Sequence, residues 1–177
     1  MADDGAGHRA YLPFPNPILR AKAAPVDAVT DEICAIWDEM LRAMYAMPGS
    51  GVGLAAPQLG ISLRLAVVDC SDTHDQPVRL ANPVLIAASE RMQTITEGSP
   101  NMPDLHGEVA RPDWVEVSFT DETGTGQQRR FDGLWSTSIQ HQIDHLDGRM
   151  FFDRMAPMRR RRILEAHKKA QRARKRA

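Results

Sequence analysis

The sequence predicts one domain built from both strands and helices, on three observations. Its 177 residues, 42% hydrophobic and 25% charged, are enough for a single core. A block of strand-like segments fills the middle of the chain. Segments with helical periodicity stand before and after that block.

The first 25 residues carry Pro13, Pro15, Pro17 and Pro25. Proline lacks the N–H a helix interior needs, so this stretch reads as an extended arm laid along the body. Ile33, Ile36, Trp37, Met40, Leu41 and Met44 then recur as the apolar stripe of a helix that starts near Asp27 or Thr30 and closes at Pro48-Gly49. That stripe is core material. In Ser50 to Gly60, the pair Gly51 and Gly53 lets backbone approach a ligand or another strand closely, and a plain tight turn is the competing reading. The stretch lacks the Gly-Lys-Ser/Thr of a phosphate loop and the third glycine of a dinucleotide fingerprint.

Strands are expected over Leu63 to Asp69 and Arg79 to Ile86, the second interrupted at Asn82-Pro83 by an edge position or a bulge. Trp114 to Thr120 alternates Val115, Val117 and Phe119 with polar residues, and Gly124-Thr125-Gly126 turns it back into Gln127 to Phe131. Between these pairs, Thr96 to Asp104 reads as a loop from its glycine and prolines. A helix follows from Leu134 to Leu146, ending at Gly148, and a last one spans about 157–177 and turns almost wholly basic.

Charge divides the chain in two. From Arg159 onward ten basic residues face the single acid Glu165, a net of +9, which leaves −10 for the rest. Such a tail suits a polyanionic partner through phosphate contacts; without interleaved aromatics it offers no means of reading bases. Cys34 and Cys70 form no disulfide framework, the start MADDGAGHRA has no signal-peptide pattern, and no stretch is long enough to span a bilayer. The expectation is a cytoplasmic protein without a membrane partner.

The densest chemical signal is Gln140-His141-Gln142-Ile143-Asp144-His145-Leu146-Asp147-Gly148. Histidines four apart lie one above the other on a helix and can share one metal ion, as in the H-E-x-x-H motif. Here glutamine stands where that motif has its glutamate base.

Three stretches in order, GVGLAAPQLG, EGSPNMP and QHQIDHLDG, resemble the three motifs of the peptide deformylases, GxGLAAxQ, EGCLSxP and QHExDHLxG. The resemblance covers nearly the whole chain. It implies an α+β fold, antiparallel sheets around a central helix that carries the HQxDH motif, with a C-terminal helix, and a metal-dependent hydrolysis of N-formyl-Met on new chains. Carried over residue by residue, it makes His141 and His145 metal ligands, with Ser99 at the third ligand position, and Gln58 an oxyanion donor. Gln142 falls at the base position. Val52, Gly53, Ile95, Leu134 and Ser138 fall on the substrate pocket, which Thr137 and Ser138 are expected to make more polar. The partners implied are formylated or free N-terminal peptides and the ribosome, the latter through Arg159, Arg160, Arg161, Arg162, Lys168, Lys169 and Arg172.

The departures from the pattern fall on the reactive centre. Ser99 replaces the thiolate ligand with a neutral hydroxyl, so a divalent metal (iron, nickel or zinc) is expected to bind with reduced affinity, or the histidine pair to stand metal-free. His106 and Asp104 are the nearby side chains that could substitute as ligands. Asp144 reads as an orienting residue. Gln142 cannot act as a carboxylate base, a loss typically of about 10² to 10⁴ in rate. Pro100 stands at the leucine position and has no N–H for the oxyanion, a loss of about 10² to 10³. The expectation is deformylase activity that is absent or very low; the alternative is a working deformylase or related amidohydrolase with an altered metal site.

Overall fold

The computed structural model describes residues 8–49 and 51–174. Ser50 of the glycine loop and the tail residues Lys175 and Arg176 lie outside the described residues. So does the end of the last expected helix.

Helix α1 spans Asp31–Tyr45, and Thr30 caps it by accepting a hydrogen bond from the Ile33 N–H. Strand β1 (Gly53–Ala55) pairs antiparallel with β2 (Leu65–Val68), which pairs with β3 (Val78–Ala88). Strands β4 (Met92–Ser99) and β5 (Met102–Pro112) form a separate two-stranded sheet. Strand β6 (Trp114–Thr120) returns to pair with β3, and β7 (Gly126–Asp132) closes the order β1-β2-β3-β6-β7. Helices α2 (Gly133–Leu146) and α3 (Pro157–Arg174) complete an α+β fold of antiparallel sheets with a C-terminal helix.

Strand alternation explains the layering. Successive residues of β2 point to opposite faces, so Leu65 and Val67 join the α1 cluster with Trp37, Met40 and Met44. Ala66 and Val68 join the other cluster, with Ile139, Ile143 and Leu146 of α2. Every α2 residue from Ser136 to Leu146 is buried, which makes this the central helix. Its end is closed by Gly148 at φ +73°, where an added Cβ would meet the Arg20 carbonyl. The expected interruption of β3 is a bulge: register shifts between Ala81 and Val84, with Asn82 at φ 51°.

Three local expectations need correction. Thr96 to Asp104 is the tip of a hairpin, with β4 and β5 in register from Met92↔Pro112 to Gly98↔His106 before a shift at Ser99↔Met102. Gly98, Pro100 and Pro103 mimic a loop, but they sit at this irregular end, where a missing N–H or side chain is tolerated. The stretch read as a possible tight turn contains the short strand β1 followed by a 3₁₀ turn, Ala56–Leu59. The proline-rich arm also contains a 3₁₀ turn, Pro17–Arg20, which Asn16 caps through a bond from the Ile18 N–H.

Candidate functional site

A cavity of about 660 Å³ opens between β1, the β4–β5 hairpin and α2. Val52, Gly53, Gln58, Ile95, Ser99, Pro100, Leu134, Thr137, Ser138, His141 and Gln142 all line it. The fold thus brings the three sequence motifs to one wall system, while His145 lies just behind His141. Gly53 is required by space: a Cβ there would collide with Ser138 Oγ and Gln142 Nε2.

The two motif histidines face each other through Nε2 atoms 3.1 Å apart. Two imidazoles each bound at about 2.0–2.1 Å to one tetrahedral ion would have nearly this separation. Glu97 sets the orientation of the pair, since its Oε2 lies 2.7 Å from His141 Nδ1. Burial acts to raise the Glu97 carboxyl, but His141 and Arg111 outweigh it and bring the pKa down to about 2. An ionised carboxylate only accepts, so His141 Nδ1 carries the hydrogen that faces Glu97. His145 is held well below the ordinary histidine value, first by burial and then by the charges of His141 and Arg111. Its Nδ1 is buried without a partner among the described residues.

Beneath the histidines lies a buried ionic network that sequence reasoning missed. Arg111 donates from Nε and Nη2 to the two oxygens of Glu97, at 2.6 and 3.0 Å, and from Nη1 to Asp144 at 2.8 Å. Arg154 donates to both Asp144 oxygens. Asp144 therefore anchors α2 to β5 and to the segment before α3, in keeping with an orienting role. The sequence signal was an arginine at the end of a strand full of polar residues, which alternation alone does not mark as buried.

Ser99 is tied into a closed set of polar contacts around Asn101. Gln58 Nε2 donates to Asn101 Oδ1 at 2.9 Å and to Ser99 Oγ at 3.3 Å, while Gln58 Oε1 accepts from the Ala55 N–H at 2.9 Å. The Ser99 hydroxyl donates to Asn101 Oδ1 at 3.0 Å, and Asn101 Nδ2 donates to the carbonyls of Leu12 and Gln58. The polar capacity of Gln58 is thereby taken up inside the protein. Asn101, buried at 2% exposure, is the second residue that sequence reasoning missed; its place beside Ser99 in the motif was the available clue.

Two further expectations are modified. The Ser138 hydroxyl donates to the Val52 carbonyl at 2.9 Å, and Thr137 Oγ1 accepts from Gln93 Nε2 at 3.1 Å. Both hydroxyls are turned to the protein, so they add less polarity to the cavity than their positions suggest. His106 lies against Gly98 at the cavity wall, its Cδ2 2.6 Å from where a Cβ would stand, and the side chain of Asp104 lies outside the described residues. Among the described residues no three His, Cys, Asp or Glu side chains are grouped to hold a metal ion. Two imidazoles and an engaged neutral hydroxyl do not fit the three-ligand centre of a catalytic metal.

Helix α3 docks through Ile163 and Leu164 onto a cluster with Leu105, Val109 and Phe152, and His167 and Gln171 bond the Phe14 carbonyl. Arg159, Arg160 and Arg161 pair with Glu108, Asp153 and Glu165. Among the described residues Arg162, Lys168, Lys169 and Arg172 have no ion-pair partner.

A family model described as polypeptide deformylase matches residues 9–161. A peptide deformylase of Methylocella silvestris is 38% identical over 167 residues, covering 92% of this chain and 84% of the relative. One of Rhizorhabdus wittichii is 37% identical over 176 residues, covering 96% and 98%. The crystal structure of a peptide deformylase from Legionella pneumophila superposes with a TM-score of 0.84 at 31% identity, covering 96% of this chain and 99% of that one. With these matches running through all three motifs, the chain belongs to the polypeptide deformylase family.

Proposed function

We propose that this chain binds peptide N-termini in the 660 Å³ cavity and hydrolyses the formyl group slowly or not at all. One observation carries the reading: both hydrogens of the Gln58 amide are directed to Asn101 and Ser99, while its neighbour in oxyanion stabilisation is Pro100, which has no N–H. A developing oxyanion would find neither donor in place, and Gln142 has no carboxylate to accept a proton. These losses act on one transition state and need not multiply, but the larger alone is severe. We assign His141 and His145 as residual ligands of a weakly held divalent metal, with Ser99 contributing little. Val52, Gly53, Ile95, Leu134 and Ser138 bind the peptide.

The unpaired cations Arg162, Lys168, Lys169 and Arg172 support a second contact, with the phosphates of ribosomal RNA. The reading places the protein in the cytoplasm as one domain. No helix among the described residues is long and apolar enough to cross a membrane. The test is metal content and formate release on a formyl-Met peptide, with iron, nickel or zinc supplied. About one metal per chain with turnover in the ordinary enzyme range would show a working deformylase with an altered metal site and overturn the proposal.

A further inference from the structure

Strand β3 loses one of its two neighbours half-way along its length. Strand β2 pairs with it only as far as Leu65↔Ala81, and Arg64 Nη2 closes that end by donating to the Pro83 carbonyl at 3.2 Å. From Val84 to Ala88, β3 is paired on one side alone, with β6. In an antiparallel ladder alternate residues aim their N–H and C=O groups at each neighbour, so this edge carries main-chain donors and acceptors with no strand to meet them.

The side chains of the edge are Val84, Leu85, Ile86, Ala87 and Ala88, with no charge and no proline. Val84 is 52% exposed, Leu85 37% and Ile86 49%, three of the six large apolar side chains that stand exposed among the described residues. The register shift between Leu85 and Ala87 leaves Ile86 without a partner in β6. Strand β7, at the far side of the same sheet, is protected differently: Gln127, Gln128, Arg129 and Arg130 are all exposed, and the Arg130 guanidinium lies over the Trp114 ring. Charges of that kind keep a second strand from adding to an edge. Between Pro83 and Ser89, β3 carries none.

A strand that adds here must be extended, uncharged at its centre and unpaired along one edge. The same segment of a second copy meets all three conditions. Antiparallel pairing about a two-fold axis sets Val84 to Ala88 against itself, an arrangement that like charges would oppose and this segment permits. The net charge of −1 on the whole chain adds little repulsion between copies. We infer that the Val84 to Ala88 edge of β3 is a homodimer surface, through which two copies continue one sheet. The two-fold uses the edge once in each copy, so growth stops at two. So short an edge falls well below the roughly 20–30 residues a side of a standard interface, which makes the dimer weak and dependent on concentration. None of these residues lines the cavity beside α2, so the inference is independent of what that cavity binds.

The test is sedimentation velocity on the full chain from about 1 to 300 µM, a span that brackets weak association. The mass should rise from that of one chain, 19.7 kDa, toward that of two. Half-conversion should fall at about 10–100 µM, the range of a small interface. Val84→Lys and Ile86→Lys each set a charge against its own copy, and both should hold the protein at one chain throughout. Gln128→Lys, on the edge already protected by charge, should leave the equilibrium unchanged. Both β3 positions are exposed, so these variants should melt with the natural chain. Hydrogen exchange on the natural chain needs no variant: amides from Val84 to Ala88 should exchange more slowly at the highest concentration than at the lowest, and those of β7 should not change. A single chain at every concentration overturns the inference. So does a dimer that survives both β3 variants, a loss that Gln128→Lys reproduces, growth beyond two copies, or exchange at Val84 to Ala88 that ignores concentration.

Discussion

Gln58 Nε2 donates to Asn101 Oδ1 at 2.9 Å, so the side chain proposed as oxyanion donor is held by a residue two positions from Ser99. Asn101 also bonds Leu12 and Gln58 carbonyls, which makes it the joint between the N-terminal arm, the tip of the β4–β5 hairpin and the 3₁₀ turn after β1. Replacing Asn101 by alanine leaves a buried donor on Gln58 and the Leu12 carbonyl without partners, while the Gln58 carbonyl keeps the Leu12 N–H. Each such orphan costs about 1–3 kcal/mol, so the two together should lower the melting temperature by roughly 4–24 °C. Differential scanning calorimetry measures this, and an unchanged transition would mean that the contacts around Asn101 do not hold the site together.

Arg111→Met removes the cation between Glu97 and Asp144 while leaving both carboxylates buried, at side-chain exposures of 4% and 2%. Breaking a buried pair from one side typically costs about 3–5 kcal/mol, so the variant should melt at least about 6 °C lower. Arg161→Ala breaks an exposed pair with Glu165 and should leave the transition where it is. Similar shifts for the two variants would contradict the difference drawn between core and surface charges.

Acid titration should expose the contribution of Asp69. Burial acts to raise its carboxyl, but hydrogen bonds from Ser71, Tyr45 and Gln76 outweigh burial and hold it below 3.8. A carboxylate with a lowered folded value stabilises the protein above its unfolded value, and this contribution disappears as pH falls through the folded one. Asp69→Asn should therefore be less stable than the natural chain at pH 7, and the gap should close as pH falls below about 4. Urea unfolding at pH 7 and pH 3 would show it; a gap of constant size would assign the effect to packing.

Binding through the tail should depend on charge rather than on the presence of α3. Deleting the helix would also remove Ile163, Leu164 and His167 from the cluster they seal, so deletion alone cannot separate folding from contact. Changing Lys168, Lys169 and Arg172 to glutamine keeps the docked face. Cosedimentation with ribosomes should weaken with added salt and disappear in this triple variant. Unchanged cosedimentation would remove the tail from the account.

The parts of the fold that were legible from sequence are those where periodicity and chain signals agree. The stripe from Ile33 to Met44 and the glycine turn before β7 led to the right elements, and of the two starts open for the first helix, Asp27 and Thr30, the structure takes Thr30. The β4–β5 hairpin was hidden because its tip carries Gly98, Pro100 and Pro103, and because β4 carries the polar Gln93 and Glu97 on its inner side as well as Thr94 and Thr96 on its exposed one. At the site, the motifs located the cavity-lining residues. The roles of Asn101, Glu97 and Arg111 depend on which hydrogens are already taken, and that is set by contacts across 14 to 89 positions of the chain.

Formate release from formyl-Met-Ala-Ser, with metal supplied, tests the central claim most directly. The natural chain should stay near background, and the variant combining Ser99→Cys, Pro100→Leu and Gln142→Glu should exceed it by at least about 10², the smallest single loss assigned to the base or the oxyanion donor. Turnover by the natural chain at about 1 s⁻¹ or more would contradict the account.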